Sequence, residues 1–370
     1  MTREPIPILL LAHTLGHGGS ERQLVEIARA LDRARFTPHV GCFHPGIRVA
    51  DLKAAGVPIV QLPVRSFASR SAITGARALG AYIAAHKIQI VHAFDAPLTM
   101  FAVPAARFYR TPFVISSQRA HRTLLSAPYH HLLRLTDRMV DAIVANSLAV
   151  RQELIDSEKV PPNLIYLCRN GIDTMRFRRR DEPRSGDLCI GVVCVLRPEK
   201  DVVTLVRAFH LLRTARPGMK LMIAGSGPVL PDLERLRADL ALGDSFVLRP
   251  SVSDVVPCLS EIDIFVLPSR SESMSNSLME AMACGCCVVA SNTGGNPELV
   301  RDGENGLLFR AGDPEHLAAQ LRLLVDRDEL RRSFAGAGRV LIEREFSIEA
   351  SARRMAQIYE SVMEQRPMLE

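Results

Sequence analysis

The 370-residue sequence lacks any apolar run of the roughly 20 residues that a membrane-spanning helix needs. Its first apolar run, Ile6 to Ala12, contains Pro7 and is too short for the core of a secretion signal. We therefore expect a cytoplasmic protein.

Lysine is scarce, so the formal net charge of +6 is carried mainly by arginine. Arginine's planar donors suit phosphate, although a general surplus can also follow from genome composition. No basic run has interleaved aromatic residues, so nucleic acid is not an expected partner. The most basic segment, 176–184, is interpreted as part of a linker.

A cysteine pattern typical of a zinc site is also absent. The eight cysteines lie mostly within apolar strand-like runs, and Cys284 and Cys287 form a lone CxxC pair. Because no histidine or second pair lies near it in sequence, buried reduced thiols are favoured over zinc or redox chemistry. The one DxD triplet, 326–328, ends a helix-like run and is interpreted as solvated charge, so no metal site is expected.

The sequence contains a repeated alternation of short β-rich runs and longer helix-period runs, which is typical of parallel βαβ units. A chain this long exceeds one ordinary core. We expect two facing, doubly wound, Rossmann-like α/β domains with a ligand cleft between them. The predicted boundaries are an N-terminal domain over 1–172, a linker over 173–187, a second domain over 188–345, and a C-terminal helix over 346–370.

Glu272 and Glu280 lie on either side of a predicted helix start, which Ser275 or Asn276 can cap. Helix starts bind phosphate through backbone N–H groups, here those around Met274 and Ser275. Carboxylates beside a phosphate repel it, so they address neutral hydroxyls or a cation. A nucleotide-sugar fits this pattern; the alternative is two ordinary solvated acids.

Two turns that follow strands add candidate phosphate contacts. Gly18 and Gly19 permit close backbone approach at the first helix start, whereas the structural alternative is a plain turn capped by Ser20. Arg197 and Lys200 can reach a diphosphate and stabilise a departing nucleoside diphosphate without a divalent ion. The alternative for this pair is surface ion pairing with the neighbouring acids.

These motifs together resemble the retaining GT-B glycosyltransferases of family four, often called group 1 glycosyltransferases. The resemblance spans nearly the whole chain, at GGSER (18–22), NGID with Phe177 (170–177), RPEKD (197–201), GSGP (225–228), E-x7-E (272–280), EAMACG (280–285) and GGNPELVRDGENGLLF (294–309). It implies that Glu280 binds the donor ribose, Glu272 contacts donor-sugar hydroxyls, and amides around Met274 and Ser275 hold the diphosphate. It also implies that the domain over 1–172 binds the acceptor, that the domain over 188–345 binds the nucleotide-sugar donor, that Gly19 closes over the diphosphate, and that the terminal helix crosses back to the first domain.

The sequence departs from the family pattern at two positions. The family's arginine five positions before Lys200 is Val195 here, and the nearest arginine is Arg197. The family's histidine after the fifth strand is replaced by Gln118. Either Gln118 or Arg119 substitutes for this histidine, or His121 moves into its place.

The resulting hypothesis is a metal-independent, retaining glycosyltransferase that moves a hexosyl unit to a glycan or a lipid-linked acceptor. Its co-substrate is a UDP- or GDP-sugar, and it needs no cofactor. The alternatives are a sugar-nucleotide epimerase or hydrolase on the same scaffold, or a non-catalytic nucleotide-sugar-binding protein. Segment 122–135, which is basic and apolar, is a candidate for peripheral membrane contact unless its apolar residues face the core.

Overall fold

The structure is a computed structural model that describes residues 4–16, 18–178, 186–213, 216 and 218–365. The chain divides into two compact units, Met1–Gly171 with Ile348–Glu370, and Ile172–Ser347. Of the predicted linker, residues 179–185 lie outside the described ranges, and Phe177 is buried in the core of the second unit. Residues 366–370 of the predicted C-terminal helix also lie outside the described part.

The described part of the first unit contains a parallel sheet in the order β3-β2-β1-β4-β5-β6-β7. The strands are β1 (Ile6–Thr14), β2 (Phe36–His44), β3 (Ile59–Gln61), β4 (Ile90–Ala93), β5 (Phe113–Gln118), β6 (Ala142–Ala145) and β7 (Ile165–Leu167). β1 is central and is buried on both faces, which is why it reads as an almost continuous apolar run. Leu10 packs into one hydrophobic core and Leu9 into the core on the opposite face.

Helices cover both faces of this sheet. They are α1 (Gly19–Ala30), α2 (Val49–Ala54), α3 (Arg70–Ala85), α4 (Ala96–Phe108), α5 (Ala127–Asp137) and α6 (Leu148–Asp156). α1 buries its Leu24 and Ile27 stripe in the same core as Leu10, whereas α3 and α4 pack into the core that contains Leu9. The strand order reverses between β1 and β4, where a doubly wound sheet binds its ligands.

The described part of the second unit has a parallel sheet in the order β10-β9-β8-β11-β12-β13, which reverses between β8 and β11. The strands are β8 (Cys189–Val193), β9 (Lys220–Ala224), β10 (Phe246–Arg249), β11 (Ile264–Leu267), β12 (Cys287–Ser291) and β13 (Leu307–Phe309). The helices are α7 (Val202–Arg213), α8 (Leu230–Asp239), α9 (Val256–Ser260), α10 (Asn276–Ala283), α11 (Asn296–Leu299), α12 (Pro314–Val325) and α13 (Asp328–Glu345). Two Rossmann-like α/β units are thus confirmed.

The last helix, α14 (Ile348–Gln365), belongs to the first unit. Its Tyr359 is fully buried, and the phenol oxygen lies 2.9 Å from Nδ1 of His92 on β4. Nε2 of His92 lies 2.9 Å from the hydroxyl oxygen of Ser117 on β5. These buried polar contacts fix the position of α14 on the sheet, in addition to its apolar packing.

All eight cysteines lie in the described residues and are free thiols; seven are buried, as predicted, whereas Cys194 is half-buried. Burial, and then the charge of Glu280, raise the pKa of the Cys284 thiol to about 12. Burial also raises the pKa of Cys287 to about 12. Thiols that stay protonated at neutral pH are poor nucleophiles and metal ligands. Within the described ranges, no helix combines the length and apolar character needed to cross a bilayer.

Candidate functional site

A cluster of charged side chains in the second unit lies at the carboxyl ends of β8 and β11, where the strand order of the sheet reverses. Lys200 ends a short 3-10 turn after β8, and Glu272 lies in the loop after β11. Nζ of Lys200 is 2.6 Å from Oε2 of Glu272. The two side chains are 21% and 10% exposed, so the pair is partly shielded from water but reachable by a ligand.

The loop that carries Lys200 is fastened to the loop that carries Glu272. Asp201 adopts a left-handed conformation (φ 46°), and its carboxylate accepts hydrogen bonds from Thr204 Oγ1 (2.8 Å) and Arg270 Nε (2.9 Å). The backbone N–H of Arg270 also donates to the carbonyl of Glu199 at 2.8 Å. These bonds hold the two loops in register and so fix the Lys200–Glu272 distance.

Arg197 is less constrained than Lys200. Its side chain is 63% exposed and lies 3.9 Å from Glu199, close to the surface pairing considered as its alternative role. Val195, at the position of the family's arginine, is also exposed. Of the predicted cations on this loop, only Lys200 is tied to Glu272.

Two neighbouring loops complete the surroundings of the pair. The N–H of Gly295, after β12, donates to the carbonyl of Glu272 at 3.2 Å. After β9, a Cβ added at Gly225 would lie 1.9 Å from the Cys194 carbonyl oxygen, and one at Gly227 would lie 2.4 Å from that of Leu196. The GSGP turn is therefore packed directly on the chain that leads to Lys200, which explains its two glycines.

The start of α10 lies four residues after Glu272. Of the two predicted caps, Ser275 is the one used, since its Oγ accepts the N–H of Leu278 at 3.3 Å. Met274 is buried in the hydrophobic core and anchors the turn that leads into the helix. Glu280 is 5% exposed, so the alternative of an ordinary solvated helix residue is wrong for it. A nearly buried carboxylate inside a helix whose start attracts anions is an unusual combination.

In the first unit, α1 begins at Gly19, and Gly18 occupies the N-cap position without a side-chain cap. The predicted alternative of a cap by Ser20 is wrong, because Ser20 already lies inside the first turn. A Cβ at Gly18 would lie 2.0 Å from the Glu21 carboxylate, so this glycine leaves room for an acidic side chain beside the helix start.

Gln118 is the last residue of β5 and is buried. Its Oε1 accepts from Arg122 Nε at 2.9 Å, and its Nε2 donates to the carbonyl of Ala120 at 2.5 Å. Arg122, which sequence reasoning did not select, is buried and donates two hydrogen bonds to the carboxylate of Asp137 at 2.7 and 2.8 Å. Gln118 is therefore held in place by a buried ion pair.

Arg119 follows directly and lies over the ring of Phe94, 4.9 Å from its centroid. Its Nη1 donates to Oδ1 of Asn170 at 2.7 Å, and burial lowers its pKa to about 10. His121, the third candidate to replace the family's histidine, is instead paired through Nδ1 with Glu153. Gln118 and Arg119 thus remain the two candidates at the end of β5.

Sequence reasoning missed Asp95, which bridges the point of strand reversal in the first unit. Its carboxylate accepts the N–H of His13, at the end of β1, at 2.5 Å and the N–H of Leu98, in α4, at 2.9 Å. Burial raises the pKa of Asp95 to about 6. The signal was present in the sequence, because an aspartate before Ala-Pro at the end of a strand is a helix N-cap pattern.

Two family models together cover most of the chain. One is described as "Glycosyl transferases group 1" and matches residues 173–361, and the other, "Glycosyltransferase Family 4", matches residues 17–176. The first of these alone covers more than half of the sequence.

Curated relatives agree with these models. A glycogen synthase of Mycobacterium tuberculosis is 32% identical over 285 residues, which cover 73% of this chain and 68% of the relative. A GDP-mannose-dependent alpha-(1-6)-phosphatidylinositol monomannoside mannosyltransferase of the same organism is 30% identical over 74% of this chain and 76% of its own length. The sulfoquinovosyl transferase SQD2 of Arabidopsis thaliana is 28% identical over 70% of this chain and 54% of its own length. The chain spans about half the length of several curated relatives it matches.

Solved structures share the fold. HepE of Anabaena, in complex with UDP-glucose, superposes with a TM-score of 0.85 at 20% identity and covers 96% of this chain and 100% of its own. A glycosyltransferase of Rickettsia africae gives a TM-score of 0.84 at 18% identity and covers 98% and 99% of the two chains.

Proposed function

The chain belongs to the group 1 glycosyl transferases, and we propose that it moves a hexosyl unit from a UDP- or GDP-sugar to a glycan or lipid-linked acceptor with retention of anomeric configuration. The observation that carries this proposal is the Lys200–Glu272 pair beside the start of α10, with Glu280 nearly buried inside that helix. HepE, a structural neighbour, is solved with UDP-glucose, which supports a nucleotide-sugar donor here.

In this proposal the donor diphosphate lies at the N-terminus of α10, whose backbone dipoles favour negative charge. Glu280 accepts hydrogen bonds from the two ribose hydroxyls, because a carboxylate can accept both at once. Lys200 stabilises the charge that grows on the leaving diphosphate. Glu272 keeps Lys200 oriented and accepts hydrogen bonds from hydroxyls of the sugar.

Retention requires no enzyme nucleophile in this scheme. The bond from the anomeric carbon to the diphosphate breaks, and the bond to the acceptor oxygen forms on the same face of the sugar. The acceptor's proton passes to the departing diphosphate, which serves as the base. Gln118 and Arg119, at the end of β5 in the first unit, are proposed to orient the reacting groups. The scheme also uses no divalent ion, because Lys200 and the helix start supply the positive charge.

The test is a panel of UDP- and GDP-sugars labelled in the sugar, offered with glycan and lipid-linked acceptors, with and without a chelator. The proposal expects transfer that depends on the acceptor and a product whose anomeric carbon has the same configuration as in the donor. The rate should be unchanged when the chelator is present. Release of free sugar, or an altered sugar-nucleotide without any acceptor, would instead identify a hydrolase or an epimerase.

A further inference from the structure

We propose that the outer surface of α3, α4 and α5 docks on an anionic lipid bilayer. This surface, the α3–α5 face, is defined by six residues: Phe67, Ile73, Arg77, Phe108, Tyr129 and Leu132. It belongs entirely to the first unit, and the inference does not depend on the glycosyl-transfer proposal.

The first observation is a segregation of charge along the chain. Residues 52–136 contain ten lysines and arginines but a single acidic residue, Asp95, so the segment carries a formal charge of +9. Because the whole chain carries +6, the remaining residues together carry −3. Three of these cations are neutralised by acids outside the segment, since Arg107 pairs with Asp141, Arg122 with Asp137 and Arg134 with Glu158. The exposed cations of the segment include Arg77 in α3 and Arg110, two residues after the end of α4.

The second observation is exposed apolar surface on the same helices. Phe108 is 78% exposed and Ile73 is 57% exposed, and Phe67, Tyr129 and Leu132 are also exposed. These five side chains line one cavity of about 560 Å³ between the helices. Soluble proteins rarely leave so many large apolar side chains together in water unless the surface binds a partner.

The combination favours a bilayer with acidic lipids. Neither α3 nor α4 contains an acidic residue, and Asp137, the one acid of α5, is buried against Arg122. Arg77 lines the cavity, so a cation lies beside the apolar side chains. Aromatic and aliphatic groups that enter the acyl boundary while arginines meet phosphates are the pattern of interfacial binding.

The test is flotation of the purified full chain with vesicles of phosphatidylcholine alone, or of phosphatidylcholine mixed with phosphatidylglycerol. Binding is expected only to the mixed vesicles and should weaken as salt is raised. The variant Arg77→Gln/Arg110→Gln should bind about 25-fold more weakly, since each arginine near such a surface contributes about fivefold. The variant Ile73→Ser/Phe108→Ser should lose at least about tenfold.

Two control variants make the same kinds of substitution on the surface of the second unit. Arg207→Gln/Arg322→Gln removes two exposed arginines from the second unit, and Leu211→Ser/Val340→Ser removes two exposed apolar side chains there. Both controls should bind within about twofold of the unaltered protein, because additive surface changes elsewhere leave this face intact.

Equal binding by the test and control variants would overturn the proposal, as would no binding to the mixed vesicles. Concentration-dependent self-association that Ile73→Ser/Phe108→Ser abolishes, without vesicle binding, would assign the face to a protein contact instead. Donor-induced thermal stabilisation of each variant should stay unchanged. If neither the unaltered chain nor any variant binds the donor, only the transferase proposal is contradicted. The membrane-docking proposal is unaffected, because flotation requires no donor.

Discussion

At the scale of single residues, the central feature of the site is the close ion pair between Lys200 and Glu272. A lysine 2.6 Å from a carboxylate and mostly shielded from water is held by more than surface attraction. Its position is inherited from two loops that Asp201 and Arg270 join across 69 residues of sequence.

Replacing Lys200 by methionine is expected to lower kcat by about 100-fold, because the charge that stabilises the leaving diphosphate is lost. It should also lower the free energy of unfolding by about 1–2 kcal/mol, since Glu272 keeps a shielded charge. Steady-state kinetics and urea titration measure the two effects. In Lys200→Met/Glu272→Gln, stability should largely recover while kcat stays low; a return of kcat would contradict the assigned role.

The Gly225→Ala substitution tests the close packing of the turn after β9. Its Cβ would lie 1.9 Å from a backbone oxygen, so the chain beneath Lys200 must shift, and we expect a loss of about 3 kcal/mol. Gly336→Ala in α13 is the control, because its Cβ meets no atom within 4 Å and alanine favours helix, which predicts a gain of about 0.5–1 kcal/mol. Urea unfolding that ranks the two variants in the opposite order would refute this account.

Much of the residue-level site could be predicted from sequence, because its key members are close together in the chain. Glu280 and the cap at Ser275 lie within one short helix pattern. Asp95 and His13 are separated by 82 residues, and only the folded sheet brings them together. Arg122 and Asp137 are 15 residues apart and meet only because α5 carries Asp137 back to the start of its own segment. A sequence pattern contains no distances between side chains of different elements, so these pairs were not predicted.

At the scale of elements, α10 combines structural and binding roles. Replacing Ser275 by alanine removes its N-cap and should cost about 1 kcal/mol in unfolding free energy. It should also weaken donor affinity several-fold, because the phosphate-binding turn loses its fixed shape. Ser147→Ala removes the equivalent cap of α6, where Ser147 accepts the N–H of Val150, and should reduce stability alone. Unchanged donor affinity in Ser275→Ala would exclude α10 as the phosphate site.

α5 is fastened to the end of α6 by Glu158, which lies 2.9 Å from Arg134 and 2.7 Å from His130. Burial alone raises the pKa of Glu158, but the hydrogen bond from Arg134 and the charge of Arg122 outweigh it, so the net pKa is lowered. Because the folded-state pKa is lowered, this stabilisation is present above the unfolded value of 4.5 and disappears as pH falls through the folded one.

The Glu158→Gln substitution should therefore reduce stability by about 2 kcal/mol at pH 7, since a buried charge network loses its carboxylate. The difference from the unaltered protein should shrink as pH falls below 4.5. Urea titrations across this range provide the measurement. A difference that grows on acidification would show that the carboxylate does not stabilise the fold.

Element boundaries are predictable where the capping residue and the helical period agree. In α12, Asp313 directly precedes Pro314 and caps the helix by accepting the N–H of His316. Helix α13 in the second unit was not predicted from the sequence. Its Gly336 and Gly338 weaken the helical pattern and its surface is heavily charged, so the buried stripe of Phe334, Leu341 and Ile342 is hard to see in sequence.

At the scale of the whole molecule, the alternation of β-rich and helix-period runs predicted two Rossmann-like α/β units. The two parallel sheets and the likeness to solved glycosyltransferases confirm the GT-B fold. The strand order within each sheet is that of a doubly wound fold and cannot be assigned to any single residue. The concentration of positive charge in residues 52–136 is visible in sequence, but its meeting with exposed apolar side chains required the packing of α3, α4 and α5.

The most direct measurement of the central claim is calorimetric titration of the preferred sugar-nucleotide into the unaltered chain and into Glu280→Gln. The variant keeps the shape of the side chain but loses one acceptor for the ribose hydroxyls, so affinity should fall between about tenfold and 100-fold. Glu234→Gln, in α8, is the control and should bind normally. Equal affinity in Glu280→Gln and the unaltered chain would contradict the assignment of α10 as the donor site.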